Sequence, residues 1–164
     1  MLINGWTVYA HPEFLRQLEA LLGRVAQDRQ RKPDIWKTRN ACKRLTAIAR
    51  LAFQAIPSDP AGAQWMLGNT LGKEHRHWRR AKFYQQYRLF FRYDAAARLV
   101  VLAWVNDENS LRAYGTADDA YAVFKAGLAK GSPPDNWHAL HVDARNAAAR
   151  WKQLRHQLNE LWGE

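Results

Sequence analysis

Read for its apolar positions alone, the chain divides into a helical first third, a strand-rich middle and a helical end. Trp6 to Tyr9 make an extended start, and Pro12 follows at a position where a helix loses little by a missing N–H. Phe14, Leu15, Leu18, Leu21, Leu22 and Val25 then recur at three- and four-residue spacing, an amphipathic helical pattern. The polar run from Gln27 to Pro33 breaks it. A second helix is expected from Asp34 to Ile56, with Ala41, Leu45, Ile48, Ala49, Ala52 and Ile56 on one side and Pro57 and Pro60 closing it. Two such helices with a short connection imply an antiparallel hairpin.

Beyond Gly72 the period becomes two. Tyr87, Leu89, Phe91 and Tyr93 alternate with Arg88, Phe90 and Arg92, which predicts a strand with one buried face and an Arg-bearing face open to a ligand. A turn at Asp94 to Ala97 leads into Leu99 to Val105, an almost continuous apolar run that reads as a central strand covered on both faces. Trp78 to Tyr84 would complete a meander of antiparallel strands. A helix is expected from Ala117 to Lys130, with Thr116 as its N-cap and Gly131 and Pro133-Pro134 as its stop. Leu140, Ala144, Ala147, Trp151, Leu154, Leu158 and Leu161 form a narrow stripe on one last helix, which either caps the core or binds another protein. The fold class is α+β in a single domain, a helical hairpin on a small antiparallel sheet with additional C-terminal helices.

Charge narrows the partners. In 164 residues, 25 Lys and Arg stand against 15 Asp and Glu, a formal charge of +10 that suits a polyanion, either nucleic acid or an acidic protein. Met1 to Tyr9 carry no secretory pattern and no stretch approaches membrane-spanning length, so a cytoplasmic protein without membrane contact is expected. The lone Cys42 cannot form an internal disulfide, makes a thiolate metal centre improbable, and fits a small buried helix position.

The chemistry concentrates between Lys73 and Tyr114. Lys73, Arg76, Arg79, Arg80, Lys82, Arg88 and Arg92 are interleaved with His75, His77 and with aromatic residues from Trp78 to Tyr93. Cations neutralise phosphates and aromatic faces stack unpaired bases, so the mixture fits single-stranded RNA better than duplex DNA. A solvated basic face and a buried set of aromatics are the plainer alternatives. A second stretch, Asn106-Asp107-Glu108-Asn109-Ser110-Leu111-Arg112-Ala113-Tyr114, gathers polar groups directly after the strongest strand.

These segments also resemble a known family. Trp78-Arg79-Arg80-Ala81-Lys82-Phe83, the run Gln86 to Tyr93, the loop Trp104 to Gly115, Asp119 to Phe124 and the opening Asn4 to Pro12 are similar to the YhaV toxins over roughly the first four-fifths of the chain. The resemblance implies the toxin of a type II toxin–antitoxin pair with the RelE-like ribonuclease fold. It implies an endoribonuclease acting on mRNA, free or on the ribosome, to inhibit translation and growth. It also implies a PrlF-type antitoxin that blocks the toxin and joins it on operator DNA to repress their operon.

Metal-free cleavage of RNA needs a base for the ribose 2′-OH, cations for the phosphorane-like transition state and an acid for the departing oxygen. The resemblance places Arg88 against the scissile phosphate. The resemblance places a general base among Lys73, Glu74, His75 and His77, and His77 or His75 is preferred because a histidine titrates in the right range, whereas a lysine would need strong depression by its cationic neighbours. Arg112 serves as a second clamp and Tyr114 as stacking residue or proton donor; Lys73, Arg76, Arg79, Arg80, Lys82 and Arg92 would bind RNA. No metal and no cofactor are expected, since Asp107 and Glu108 have only Glu74 as an evident carboxylate companion for a hard cation. The rivals are a metal-dependent nuclease, a toxin of the same fold that inhibits an essential enzyme by binding alone, and a basic adaptor protein.

Overall fold

The computed structural model describes residues 1–163. Strands β1 (Leu2–Ile3), β2 (Trp6–Ala10), β3 (Arg79–Phe83), β4 (Tyr87–Asp94) and β5 (Leu99–Val105) form one sheet in the order β1-β2-β5-β4-β3. The run Leu99 to Val105 is the central strand, buried from Val100 onward, and β3, β4 and β5 make the expected antiparallel meander. The wholly antiparallel sheet is corrected. β2 lies parallel to β5, with Thr7 opposite Leu99 and Ala10 opposite Leu102, so the sheet is mixed. Parallel neighbours need a long crossover, and pairing across some ninety residues leaves no local mark in the sequence.

One face carries the helical hairpin. Helix α1 (Pro12–Arg31) buries Phe14, Leu15, Leu18, Leu21 and Val25, and its N-cap His11 accepts the Glu13 N–H at Nδ1, 3.1 Å away. Helix α2 (Asn40–Arg50) starts six residues later than Asp34, because the chain first makes a tight turn at Trp36–Thr38 that seats the Trp36 ring in the core beneath Arg29 and Lys37. Nor does Pro57 close the helical path. A widened turn at Leu51–Ala55, in which the Ile56 N–H reaches the Leu51 carbonyl, leads into the short α3 (Ile56–Ser58). That wider turn accommodates a proline ring that would clash in a regular helix. Cys42 is buried, as its place in the pattern predicts.

Helices α4 (Ala120–Ala129) and α5 (Trp137–Asn146) cover the opposite face, and α6 (Ala148–Trp162) returns to the first. The expected single last helix is therefore two, broken at Ala147, whose N–H closes a tight turn onto Ala144. The break divides the stripe. Leu140 and Ala144 pack with Phe90, Val101 and Phe124, whereas Ala147, Trp151, Leu154 and Leu158 pack with Phe14 and Leu45 across the sheet. The stripe closes the core and is not a docking face. Trp151 anchors the return: its ring stacks on Phe53 at 5.2 Å, and its Nε1 donates to the Val8 carbonyl at 3.1 Å.

The β4–β5 ladder contains a bulge. Phe90 faces Trp104 while Phe91 faces Leu102, which leaves Ala103 as an extra residue in β5. Ala103 and Trp104 both join the α4 side of the sheet, Val105 joins the α1 side, and Asn106 is delivered to Arg88. Among the described residues no helix is long and apolar enough to cross a membrane.

Candidate functional site

Arg88 lies on the face of β4 covered by α4, so the expectation of an open Arg-bearing face is corrected. Its neighbour Phe90 stacks on Phe124 at 4.1 Å, and Arg88 itself is only 7% exposed. The guanidinium donates from Nε to the Tyr121 hydroxyl at 3.3 Å and from Nη1 to the carbonyls of Gln85 and Tyr87 at 2.6 and 2.9 Å. Among the described residues no carboxylate forms an ion pair with it. A buried cation ordinarily has such a partner, because leaving water uncompensated is costly.

Its charged neighbours are cations. Lys82 stands directly opposite Arg88 in the β3–β4 register. The positive charge of Arg80, slight burial, and the charges of Arg88 and Arg112 lower the Lys82 pKa, with only Tyr114 acting the other way. Arg112 completes the group. The Asp119 carboxylate holds its guanidinium between the rings of Tyr114, 3.6 Å from the centroid, and Tyr121, 4.6 Å away. Tyr114 is 87% exposed, so with Arg112 on one side its ring remains accessible to solvent.

Two buried polar residues set this geometry. Asn106 accepts the Arg88 backbone N–H at 2.7 Å and donates to the carbonyls of Gln86 and Ser110 at 3.0 and 2.8 Å, which fastens the loop after β5 to the start of β4. Asp119 accepts from Ala113 N at 2.7 Å and from Tyr121 N at 3.1 Å. It is therefore the N-cap of α4, which begins at Ala120; Thr116 is not the cap, and its hydroxyl donates to the Ala113 carbonyl instead. Burial raises the Asp119 pKa, but Arg112 and the Ala113 N–H outweigh it and hold the carboxyl below its ordinary value. Farther along the loop, Glu108 bridges Arg24 of α1 and the buried Arg44 of α2. Sequence reasoning gave no role to Asn106, Tyr121 or the side chain of Asp119. Asp119 stands one residue before the apolar run of α4, which is the position of a cap and the signal that could have found it.

His75 and His77 do not join Arg88. Both rings meet Asp135, His75 Nδ1 at 3.1 Å and His77 Nε2 at 2.8 Å from its Oδ1, and the same oxygen accepts Trp78 Nε1 at 2.7 Å. Arg92 belongs to this second cluster, donating to the Asp135 carbonyl at 2.6 Å between the rings of Trp78 and Trp137. It lies four positions along β4 from Arg88, roughly 13 Å at the usual rise. Of the other expected RNA contacts, Lys73, Arg76 and Lys82 are exposed. Arg79 and Arg80 are half-buried and donate to backbone carbonyls, Arg79 to those of Arg76 and Trp78 and Arg80 to that of Met66.

A family described as a toxin with endonuclease activity, of a toxin–antitoxin system, matches residues 8–145. The chain belongs to the YhaV toxin family. It is similar to toxin YhaV of Escherichia coli O6:H1 and to ribonuclease toxin YhaV of Escherichia coli K12, at 37% identity over 140 residues, which covers 84% of this chain and 91% of each relative. No solved structure is significantly similar to it. The YhaV match takes in both clusters and ends at the close of α5, so α6 lies outside it.

Proposed function

We propose that this YhaV-family toxin is a metal-independent endoribonuclease that seats the scissile phosphate on Arg88, between Lys82 and Arg112. The observation that carries the reading is a buried guanidinium with no carboxylate among the described residues and two further cations beside it. A phosphodiester supplies the missing negative charge, and the same donors stabilise the greater charge of the transition state. Among the described residues the one carboxylate in contact with the group, Asp119, is engaged by Arg112, so the donor set offers nothing to a hard cation.

Lys82 takes the role first sought in the histidines. The surrounding cations lower its pKa and so enlarge the minor fraction present as the free amine, which accepts the 2′-OH proton; the 2′ oxygen attacks phosphorus, a 2′,3′-cyclic phosphate forms, and the 5′ oxygen leaves with a proton from solvent. The accessible ring of Tyr114 stacks a neighbouring base. A RelE-like ancestry, mRNA as substrate with or without the ribosome, inhibition of translation, a PrlF-type antitoxin and joint repression of the operon belong to the same reading. So does a cytoplasmic location. The relative of that name in Escherichia coli K12 is a ribonuclease toxin.

The test is cleavage of synthetic RNA by purified protein in excess EDTA, beside an RNA with one 2′-deoxynucleotide at the mapped cut. Cleavage to cyclic-phosphate ends that the deoxy substitution blocks is the expected result. RNA left intact with and without ribosomes, by protein that still arrests growth, would favour a toxin that acts by binding. Activity that disappears in EDTA and returns with Mg²⁺ would favour a metal enzyme.

A further inference from the structure

We propose that His75, His77 and Asp135 form a binding site for one transition-metal ion of the Zn²⁺ class, separate from the Arg88 cluster. The three residues offer two imidazole nitrogens and a carboxylate oxygen, all within 4.8 Å of one another. Both rings already converge on one Asp135 oxygen. An ion with ligand bonds of about 2.0–2.2 Å takes the place of these two hydrogen bonds after small rotations of the rings and carboxylate.

The supporting shell is built. Trp78, fully buried, fixes the Asp135 carboxylate through its indole N–H, and Arg92 fixes the Asp135 carbonyl. Outer partners of this kind orient metal ligands and contribute measurably to affinity.

The chemistry selects the ion. Two nitrogens with a single negative charge suit Zn²⁺, Co²⁺ or Ni²⁺, whereas Mg²⁺ and Ca²⁺ prefer several oxygens. Arg92, whose charge interacts with Asp135, opposes a cation held by oxygen alone, so nitrogen ligation has to carry the affinity. Three protein ligands leave a fourth position, which the exposure of His77 opens to water or to a phosphate oxygen. A bound ion links the turn before β3 to the segment before α5, 58 residues farther along the chain.

Full-length protein stripped with chelator and dialysed is titrated with ZnCl₂ by calorimetry, with CoCl₂ absorption reporting the geometry. The expected result is one ion per chain with a micromolar or tighter Kd, a tetrahedral Co²⁺ spectrum, a higher Tm with Zn²⁺ and no response to Mg²⁺. His75→Gln/His77→Gln, shown to be folded by circular dichroism, should weaken binding at least 100-fold, and Asp135→Asn at least tenfold. No uptake at millimolar Zn²⁺, or an unchanged Kd in the folded double variant, would overturn the site and leave these residues as a hydrogen-bonded staple. Because the readout is binding, a failure here is distinct from a failure of the RNA-cleavage reading, which is scored in chelator.

Discussion

Lys82 and Arg88 face each other across the β3–β4 ladder, a pair of like charges at a position where opposite charges are the stabilising arrangement. The strands bring the two together whether or not anything lies between them. An occupied site is thus favoured over an empty one by the relief of their repulsion as well as by direct contacts.

Replacing Lys82 by Glu should accordingly make the protein more stable and less useful. The new cross-strand pair is expected to add about 0.2–1 kcal/mol, diminishing with salt because Lys82 is solvent-exposed. RNA cleavage should vanish. Urea denaturation at low and high salt, beside a cleavage assay, checks both halves; a destabilised variant would mean that the two side chains do not sense each other.

Arg88→Ala should abolish cleavage and growth arrest while the fold survives. The substitution gives up hydrogen bonds to Tyr121 and to two carbonyls but also removes an unpaired buried cation, so the net change should lie within about 2 kcal/mol. Arrest of growth by the variant at normal abundance would take Arg88 out of the mechanism.

Asp119 carries two duties that substitution can separate. Asp119→Ala removes the α4 cap and leaves Arg112 without its partner, a loss of about 3–5 kcal/mol. Asp119→Asn keeps an acceptor for the cap and should cost less, yet free the Arg112 guanidinium and lower cleavage. Equal losses of stability in the two variants, measured by denaturation, would argue that the cap contributes nothing and that the ion pair accounts for the whole effect.

His11 should make stability depend on pH. Its Nδ1 accepts the Glu13 N–H and its Nε2 meets Asp143 at 3.1 Å; burial lowers its pKa more strongly than Asp143 and Glu13 raise it. Folded His11 therefore binds its proton at lower pH than the unfolded chain, whose histidines titrate near 6.5. The contribution is complete above about pH 6.5 and is lost as the pH falls below it, because the unfolded state then holds more protons. Denaturation midpoints from pH 8 to 5 should decline for the native sequence and flatten for His11→Asn, which keeps the cap.

Trp151→Ala tests the role of α6. Loss of a buried indole and of its bond to Val8 should cost about 3–5 kcal/mol, a large part of the stability of a domain this size. A soluble variant with unchanged Tm would return the stripe to the surface.

The elements that interact with their own neighbours were legible in the sequence. Three- and four-residue spacing located α1 and the body of α2, and the uninterrupted run Leu99–Val105 located the strand covered on both sides. What escaped depends on distant partners. Nothing near Trp6–Ala10 announces its parallel pairing with β5, and the alternation in β4 could not show that α4 lies over Arg88 and Phe90. Asp135, within the stretch read only as a helix stop, acquires meaning from His75 and His77 some sixty residues earlier. Arg88, Arg112 and Tyr114 were foreseen as one group, whereas the histidines were assigned to it by family resemblance and by their titration range, and they meet Asp135 instead, beside Arg92.

The extra residue in β5 divides the strand into two regimes. Up to Leu102 the strand obeys the alternation that the two cores impose, and a change there is judged first by packing. After Ala103 that rhythm is reset: Trp104 packs on the α4 side, Val105 on the α1 side, and Asn106 meets Arg88. The bulge is thus a joint between two ways of holding a chain in place: packing fixes the strand before it, and directed hydrogen bonds fix the polar segment that follows from Asn106.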